Sequence, residues 1–269
     1  HSVPVVNVAL QFDAGYASDA GGKLGTASFA ANMLDEGTAS LDSVQIAQTR
    51  ERLGLNLSTG CGLDACTANA NLLKANMAPS LALLADVVRN PAFRDADIER
   101  LRAQWIAGIG QEKTQPVGLA LRVLPPLVYG AGHPYAIPFS GTGSEADIKA
   151  LTAADLRAWQ SAWLRPDNVR ILVAGDTTLP EITAQLDAVF GDWQAPAAGK
   201  GAKSIPQVAA QQKPRVFLID KPGAQQSLIL AGLLAPSTTA PNNLNIETMN
   251  DAFGGLFSAR LNMNLREDK

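Results

Sequence analysis

Residues 25–38 read GTASFAANMLDEGT. Phe29 and Met33 stand four residues apart among alanines, which places them on one face of a helix packed inward. Gly37, after Glu36, closes the run, as glycine does at helix ends. Upstream, residues 3–12 read VPVVNVALQF, an apolar, β-branched strand pattern that Asp13-Ala14-Gly15 ends. Small residues over 17–24 form the loop between strand and helix. A strand, a loop and a buried helix thus open the chain.

The same reading extends downstream. Asp42 is a good N-cap for a helix over 42–53, which Gly54 closes. Residues 55–59 and 65–73 read as a hairpin, the second strand alternating small or polar with apolar residues. Helices follow over 76–89, with Leu81, Leu84, Val87 and Val88 on one face, and over 93–113, where Ile98, Leu101, Trp105 and Ile109 repeat at helical spacing. A helix over 116–129 is bent by Pro125-Pro126, and a Gly/Pro-rich loop spans 130–143. Ser144 with Asp147, and Thr152 with Asp155, read as capping boxes that start two short helices. Residues 169–174 form a strand and 179–190 a helix. Residues 194–214 are rich in Ala, Gly, Lys, Pro and Gln and read as a linker. Beyond it, two strands are expected over 215–220 and 225–232, then helices over 241–253 and from Gly254-Gly255 to Arg266.

Composition excludes several classes. The chain has 269 residues, 46% hydrophobic, 17% charged, with net charge −3. Without a basic stripe, and with 6% aromatics, nothing favours nucleic-acid binding. No apolar run approaches the roughly 20 residues of a membrane span. The chain opens at His1 already entering a strand and stops at Lys269 inside a helix end. Both ends read as cut, so a missing targeting segment is uninformative. Cys61 and Cys66 flank a plausible turn, Gly62-Leu63-Asp64-Ala65. They either pair as a disulfide, implying an oxidising compartment, or remain two small buried thiols.

Four stretches together resemble the pitrilysin/insulinase family of zinc peptidases: GTASFAANMLDEGT, the His133-Pro134-Tyr135 loop, RPDNVRILVAGD over 165–176, and FGGLFSARLNMNLREDK over 253–269. The resemblance covers nearly the whole chain. It implies an α+β fold, a two-layer α/β domain whose mostly antiparallel sheet is covered by helices on one face. Residues 1–193 would be that domain without its extreme N-terminus, 194–214 the linker, and 215–269 the incomplete start of a second domain of the same topology.

In active members of the family the helix carries H-x-x-E-H. The matching positions here are Ser28, Ala31 and Asn32. Related as i, i+3 and i+4, such positions let two imidazoles grip zinc while a carboxylate takes a proton from bound water. Serine and a neutral amide do not replace imidazole, and alanine exchanges no proton. The resemblance places a third ligand, a glutamate, near Ala107-Gly108-Ile109, where no carboxylate stands. Glu99 and Glu112 flank that place and read as a solvated helix face. His133 has no second histidine near it, the other being His1, so a structural role is expected.

The resemblance also implies one binding residue. Arg266 matches an arginine that works on the substrate carbonyl with a tyrosine seven residues later, which would be position 273, past the last residue here. Guanidinium suits that task, staying charged and presenting donors in a fixed fork. Read from residues alone, Arg266 is a surface arginine favoured by a helix C-terminus. Arg260 is expected to be structural.

The expectation is a non-catalytic, peptide-binding half of a zinc metalloendopeptidase, inactive alone. It would bind no cofactor itself and work in a heterodimer with a partner half that holds zinc in H-x-x-E-H, or form a homodimer in isolation. A periplasmic or secreted location fits, with the cytoplasm as the alternative. A competing expectation is an assembly protein on the same fold, like the core subunits of the respiratory cytochrome bc1 complex, with no part in proteolysis.

Overall fold

The computed structural model describes residues 3–209 and 213–267, so His1 lies outside the described residues. They divide into two compact units, one of residues 3–209 and 213–230, the other of residues 231–267. The first unit is α+β. Four strands, β1 (Val5–Phe12), β2 (Asn56–Cys61), β3 (Cys66–Leu73) and β4 (Val169–Gly175), form an antiparallel sheet ordered β2-β3-β1-β4.

Alternation decides which face of the sheet is covered. Val6, Val8, Leu10 and Phe12 of β1 are buried, as are Cys66, Ala68, Ala70 and Leu72 of β3. The intervening residues face away. Asn7 lies opposite Asn71, which lies opposite Asn56, making a row of amides on the uncovered face. A one-residue slip would drive this row into the core.

Helices contribute to the core on the apolar face: α1 (Thr26–Met33), α2 (Ser43–Leu53), α3 (Met77–Arg89), α4 (Asp95–Thr114), α6 (Glu145–Ala150), α7 (Ala153–Trp163) and α8 (Leu179–Phe190), while α5 (Pro116–Tyr129) packs on α4. α2 and α7 begin with full capping boxes, Asp42 with Gln45 and Thr152 with Asp155. Phe29 of α1 is fully buried and meets Trp105 of α4 edge-on at 5.5 Å between ring centroids.

Residues 194–209 have no regular structure but are strapped to the first unit. Arg165 donates to the carbonyls of Ala198 (2.6 Å) and Pro196 (3.3 Å). The Gly201 N–H donates to the Ala162 carbonyl at 3.0 Å. The backbone of Gly201 lies on the Trp163 ring so closely that an added Cβ would fall 2.4 Å from it. Lys203 forms an ion pair with Asp13 at 2.7 Å, and His133 Nε2 lies 2.9 Å from the Pro206 carbonyl.

The strands expected over 215–220 and 225–232 are not formed. That stretch has no regular structure and pairs with nothing in a sheet, and Val216, Leu218 and Ile229 are more than 90% exposed. A hairpin needs further strands or a covering helix to be stable in water, and none is supplied among the described residues. In the second unit, α9 (Asn243–Asn250) runs into a π turn, Asp251–Gly255, and a second π segment spans Met263–Glu267. The helices expected there are therefore shorter and partly unwound.

Candidate functional site

Helix α1 owes its position to Asp19. This carboxylate is 5% exposed and accepts the N–H groups of Gly25 (2.9 Å) and Ala27 (3.0 Å), capping the helix from a turn six residues upstream. Burial pushes its pKa up to about 7, against the pull of those backbone bonds. Gly25 itself is left-handed (φ +99°), and a side chain there would meet the Thr142 carbonyl and Ile148.

The three positions of interest on α1 have separate surroundings. Ser28 and Ala31 are buried, at 6% and 2% exposure. The Ser28 hydroxyl has no hydrogen-bond partner. Asn32 is exposed, and its Nδ2 donates to the Ser28 carbonyl at 2.8 Å. The Ala31 carbonyl accepts from Thr59 Oγ1 at 2.8 Å.

A loop closes over this helix. Gly141, at φ +70°, sits against Ser28 and Tyr16, and a Cβ there would fall 2.8 Å from the Ser28 hydroxyl. The Tyr16 hydroxyl donates to the Phe139 carbonyl (2.9 Å), and Trp105 Nε1 to the Thr142 carbonyl (3.0 Å). Arg122 of α5 donates to Thr142 Oγ1 (2.8 Å) and to the Gly143 carbonyl (2.5 Å). Its other partner is Glu112, at 2.6 Å. Glu112 Oε2 also accepts from Ser140 (3.1 Å) and Thr142 (3.0 Å). Residues 139–143 thus form a plug over the face of α1 that bears Ser28.

The two flanking glutamates part ways. Glu99 is solvated, 68% exposed and paired with Arg102, as expected. Glu112 is not on a solvated face: it is half-buried and serves as the plug's anchor. Sequence spacing pointed near it but could not supply its partners, which lie 10 to 30 residues away. Ile109, in the turn where the third ligand was expected, is fully buried.

His133 is held as a loop residue. Nδ1 accepts the Tyr135 N–H at 3.0 Å, and the ring stacks on Tyr129 with centroids 5.2 Å apart. The Tyr135 hydroxyl donates to Asp64 at 2.6 Å, and burial with that carboxylate raises its pKa to about 12. Arg266 lies in the second unit, exposed, with its guanidinium 5.1 Å from the Phe257 ring centroid, a cation–π contact. Arg260 is also exposed.

Asp19, Tyr16 and Arg122 were missed by sequence reasoning. Asp19 gave one faint signal, an acid in a small-residue loop just ahead of a helix with no Ser, Thr, Asp or Asn at its own N-cap.

Two family models match the chain: "Insulinase (Peptidase family M16)" over residues 1–125 and "Peptidase M16 inactive domain" over residues 150–269. Among curated proteins, an uncharacterized zinc protease of Mycobacterium leprae is 23% identical over 91% of this chain and 54% of its own length. A Helicobacter pylori protein called a non-peptidase homolog is 22% identical over 70% of this chain and 43% of its own length. Among solved structures, a peptidase M16 inactive domain from Pseudomonas fluorescens superposes with a TM-score of 0.84 at 27% identity, over 99% of this chain and 63% of that one. The periplasmic protease PqqL of Escherichia coli shares the fold, with a TM-score of 0.66 at 19% identity over 77% of this chain and 23% of that one. The chain therefore spans just over half the length of the first curated relatives it matches.

Zinc does not fit the residues present. Ser28 is covered by Gly141, Ala31 offers no ligand atom, and Asn32 binds its own helix. Among the described residues no three of His, Cys, Asp and Glu gather in a way that could hold a metal ion.

Proposed function

Because the chain belongs to the insulinase family, peptidase M16, we propose that it is a non-catalytic, peptide-binding half or subunit of a zinc metalloendopeptidase. A partner half carrying H-x-x-E-H holds the zinc and cuts. The observation that carries this reading is α1 itself: the helix that matches the family's metal-binding helix is kept in place by Asp19, yet Ser28, Ala31 and Asn32 do not suit a metal and the 139–143 plug covers Ser28.

In this reading Arg266 reaches the substrate's carbonyl oxygen in the assembled enzyme and stabilises negative charge developing there. Residues 215–269 open a second α/β domain, which supplies the strand partners that 215–232 lack here. Pairing of Cys61 with Cys66, and the periplasmic setting of PqqL, support an exported location. The zinc belongs to the partner half, and the working form is a heterodimer.

The test is peptide cleavage by this chain alone and mixed with an H-x-x-E-H subunit. Turnover is expected only in the mixture, sensitive to chelator, and faster than that of the catalytic subunit alone. Zinc-dependent cleavage by this chain alone would overturn the proposal. A second reading, an assembly subunit with no part in proteolysis, is favoured by the plug and by the H. pylori relative's description as a non-peptidase homolog. It predicts that adding this chain leaves the partner's turnover unchanged.

A further inference from the structure

The turn between β2 and β3 is a junction for distant parts of the first unit. The carbonyls of Gly62 and Leu63 accept the N–H groups of Tyr16 and Ala17, each at 3.0 Å. The Asp64 carboxylate accepts the Tyr135 hydroxyl at 2.6 Å, and its carbonyl accepts from the Lys203 ammonium. Lys203 donates as well to the Ala14 carbonyl at 2.7 Å, and its side chain is only 10% exposed. One turn thus holds the approach to α1, the His133 loop and the far end of the strap. A disulfide between Cys61 and Cys66 closes that turn.

The two sulfurs are not equivalent. Cys66 is buried at 2% exposure, and its Sγ accepts the Gly15 N–H at 3.2 Å. Cys61 is the less buried of the two, partly buried against the core with its Sγ 3.4 Å from the Ala27 carbonyl. Cys61 is therefore the more accessible sulfur for an incoming thiolate, and the leaving sulfur is Cys66, with a backbone donor in place to receive its negative charge. Exchange is fastest when the accessible sulfur is attacked and the leaving thiolate is stabilised.

We propose that Cys61–Cys66 is a reversible redox site whose reduction loosens residues 203–209 on the first unit. A dithiol's thiolate attacks Cys61 Sγ, the S–S bond breaks, and Cys66 leaves as a thiolate beside Gly15 and takes up a proton. The dithiol's second thiol then displaces Cys61, which is also protonated. The dithiol ends as a disulfide, and two electrons and two protons have passed to the protein. With the turn unclosed, the Asp64 anchor loosens: Lys203 keeps only Asp13 and Ala14, and the His133 loop that seats Pro206 loses its Tyr135–Asp64 tie. Arg165 does not touch the turn, so it keeps its hold on Pro196 and Ala198.

The experiment uses the whole chain, with and without dithiothreitol, in native buffer. Alkylation and mass measurement count free thiols, and limited trypsin digestion reads cleavage after Lys203. Cleavage after the exposed Arg260, in the second unit, is the control. Reduction is expected to free both thiols and to raise cleavage after Lys203 on the order of tenfold, given the short loop the bond closes. The control cut should not change. The Cys61→Ser, Cys66→Ser double variant, checked for native circular dichroism, should cut at the reduced rate and ignore the dithiol. Unchanged protection of Lys203 after reduction would overturn the proposal, as would a bond that native-state dithiol does not reduce. Neither result depends on whether the chain assists a peptidase.

Discussion

Replacing Asp19 by Asn is the most informative single change to the first unit. The carboxylate is buried and holds two N–H groups at the start of α1. Asn keeps one acceptor and turns an amide N–H₂ toward the second donor, so a loss of about 1–2 kcal/mol is expected from the cap alone. The pH dependence carries the sharper information. In the folded chain the acid holds its proton up to about 7, whereas its ordinary value is 3.8. Between those values the folded state binds more protons than the unfolded state, so stability falls as pH rises. The difference of about 3 units corresponds to at most about 4 kcal/mol. Asn does not titrate and escapes this loss. The variant's deficit is therefore largest near pH 4 and shrinks, or reverses, by pH 8. Urea unfolding followed by tryptophan fluorescence measures it directly, since Trp105, Trp159, Trp163 and Trp193 all lie in the first unit. A deficit that grows from pH 4 to pH 8 would refute the reasoning, because the ionised carboxylate would then be the stabilising form.

Restoring the motif with Ser28→His, Ala31→Glu and Asn32→His is expected to leave zinc well below one ion per chain after dialysis, because Gly141 covers position 28, Ala107-Gly108-Ile109 offer no third ligand and Glu112 is engaged by Arg122; stoichiometric zinc by elemental analysis would contradict this. Arg122→Ala strands the half-buried Glu112 and should cost about 2–3 kcal/mol, discounted from a fully buried pair because the side chains are 11% and 22% exposed. Hydrogen exchange should quicken over 139–143 while β1 and β3 keep their protection, and equal loosening of both would argue against a local anchor. Arg266→Ala, in a reconstituted complex with a catalytic subunit, should lower peptide turnover at least tenfold with little effect on this chain's melting temperature. Unchanged turnover favours an assembly role.

Local chemistry was readable from the sequence, and long-range closure was not. The apolar, β-branched run over 3–12 marked β1, and Asp42 and the pair Thr152 with Asp155 marked helix starts, because neighbours within a few residues determine each feature. The framework around α1 was legible by resemblance, as was the poor ligand set at Ser28, Ala31 and Asn32. The plug was not: Tyr16 finds Phe139 across 123 residues and Trp105 finds Thr142 across 37, pairings no local pattern encodes. The strap over 194–209 looked like a linker because its attachments run through backbone carbonyls: those of Pro196 and Ala198 accept from distant Arg165, and its own Lys203 donates to those of Ala14 and Asp64, and carbonyls carry no sequence signature. Residues 215–232 show the opposite error: their β-branched content fits a strand, but a strand exists only with a neighbour.

The Ser28 hydroxyl is buried with no hydrogen-bond partner beneath Gly141. An enclosed hydroxyl without a partner opposes folding by about 1–3 kcal/mol. Alanine would fill the same space without that burden, so thermostability selection should drift this position toward alanine. Position 28, where the family resemblance would place a metal ligand, is thus one this chain could surrender to alanine with a gain in stability.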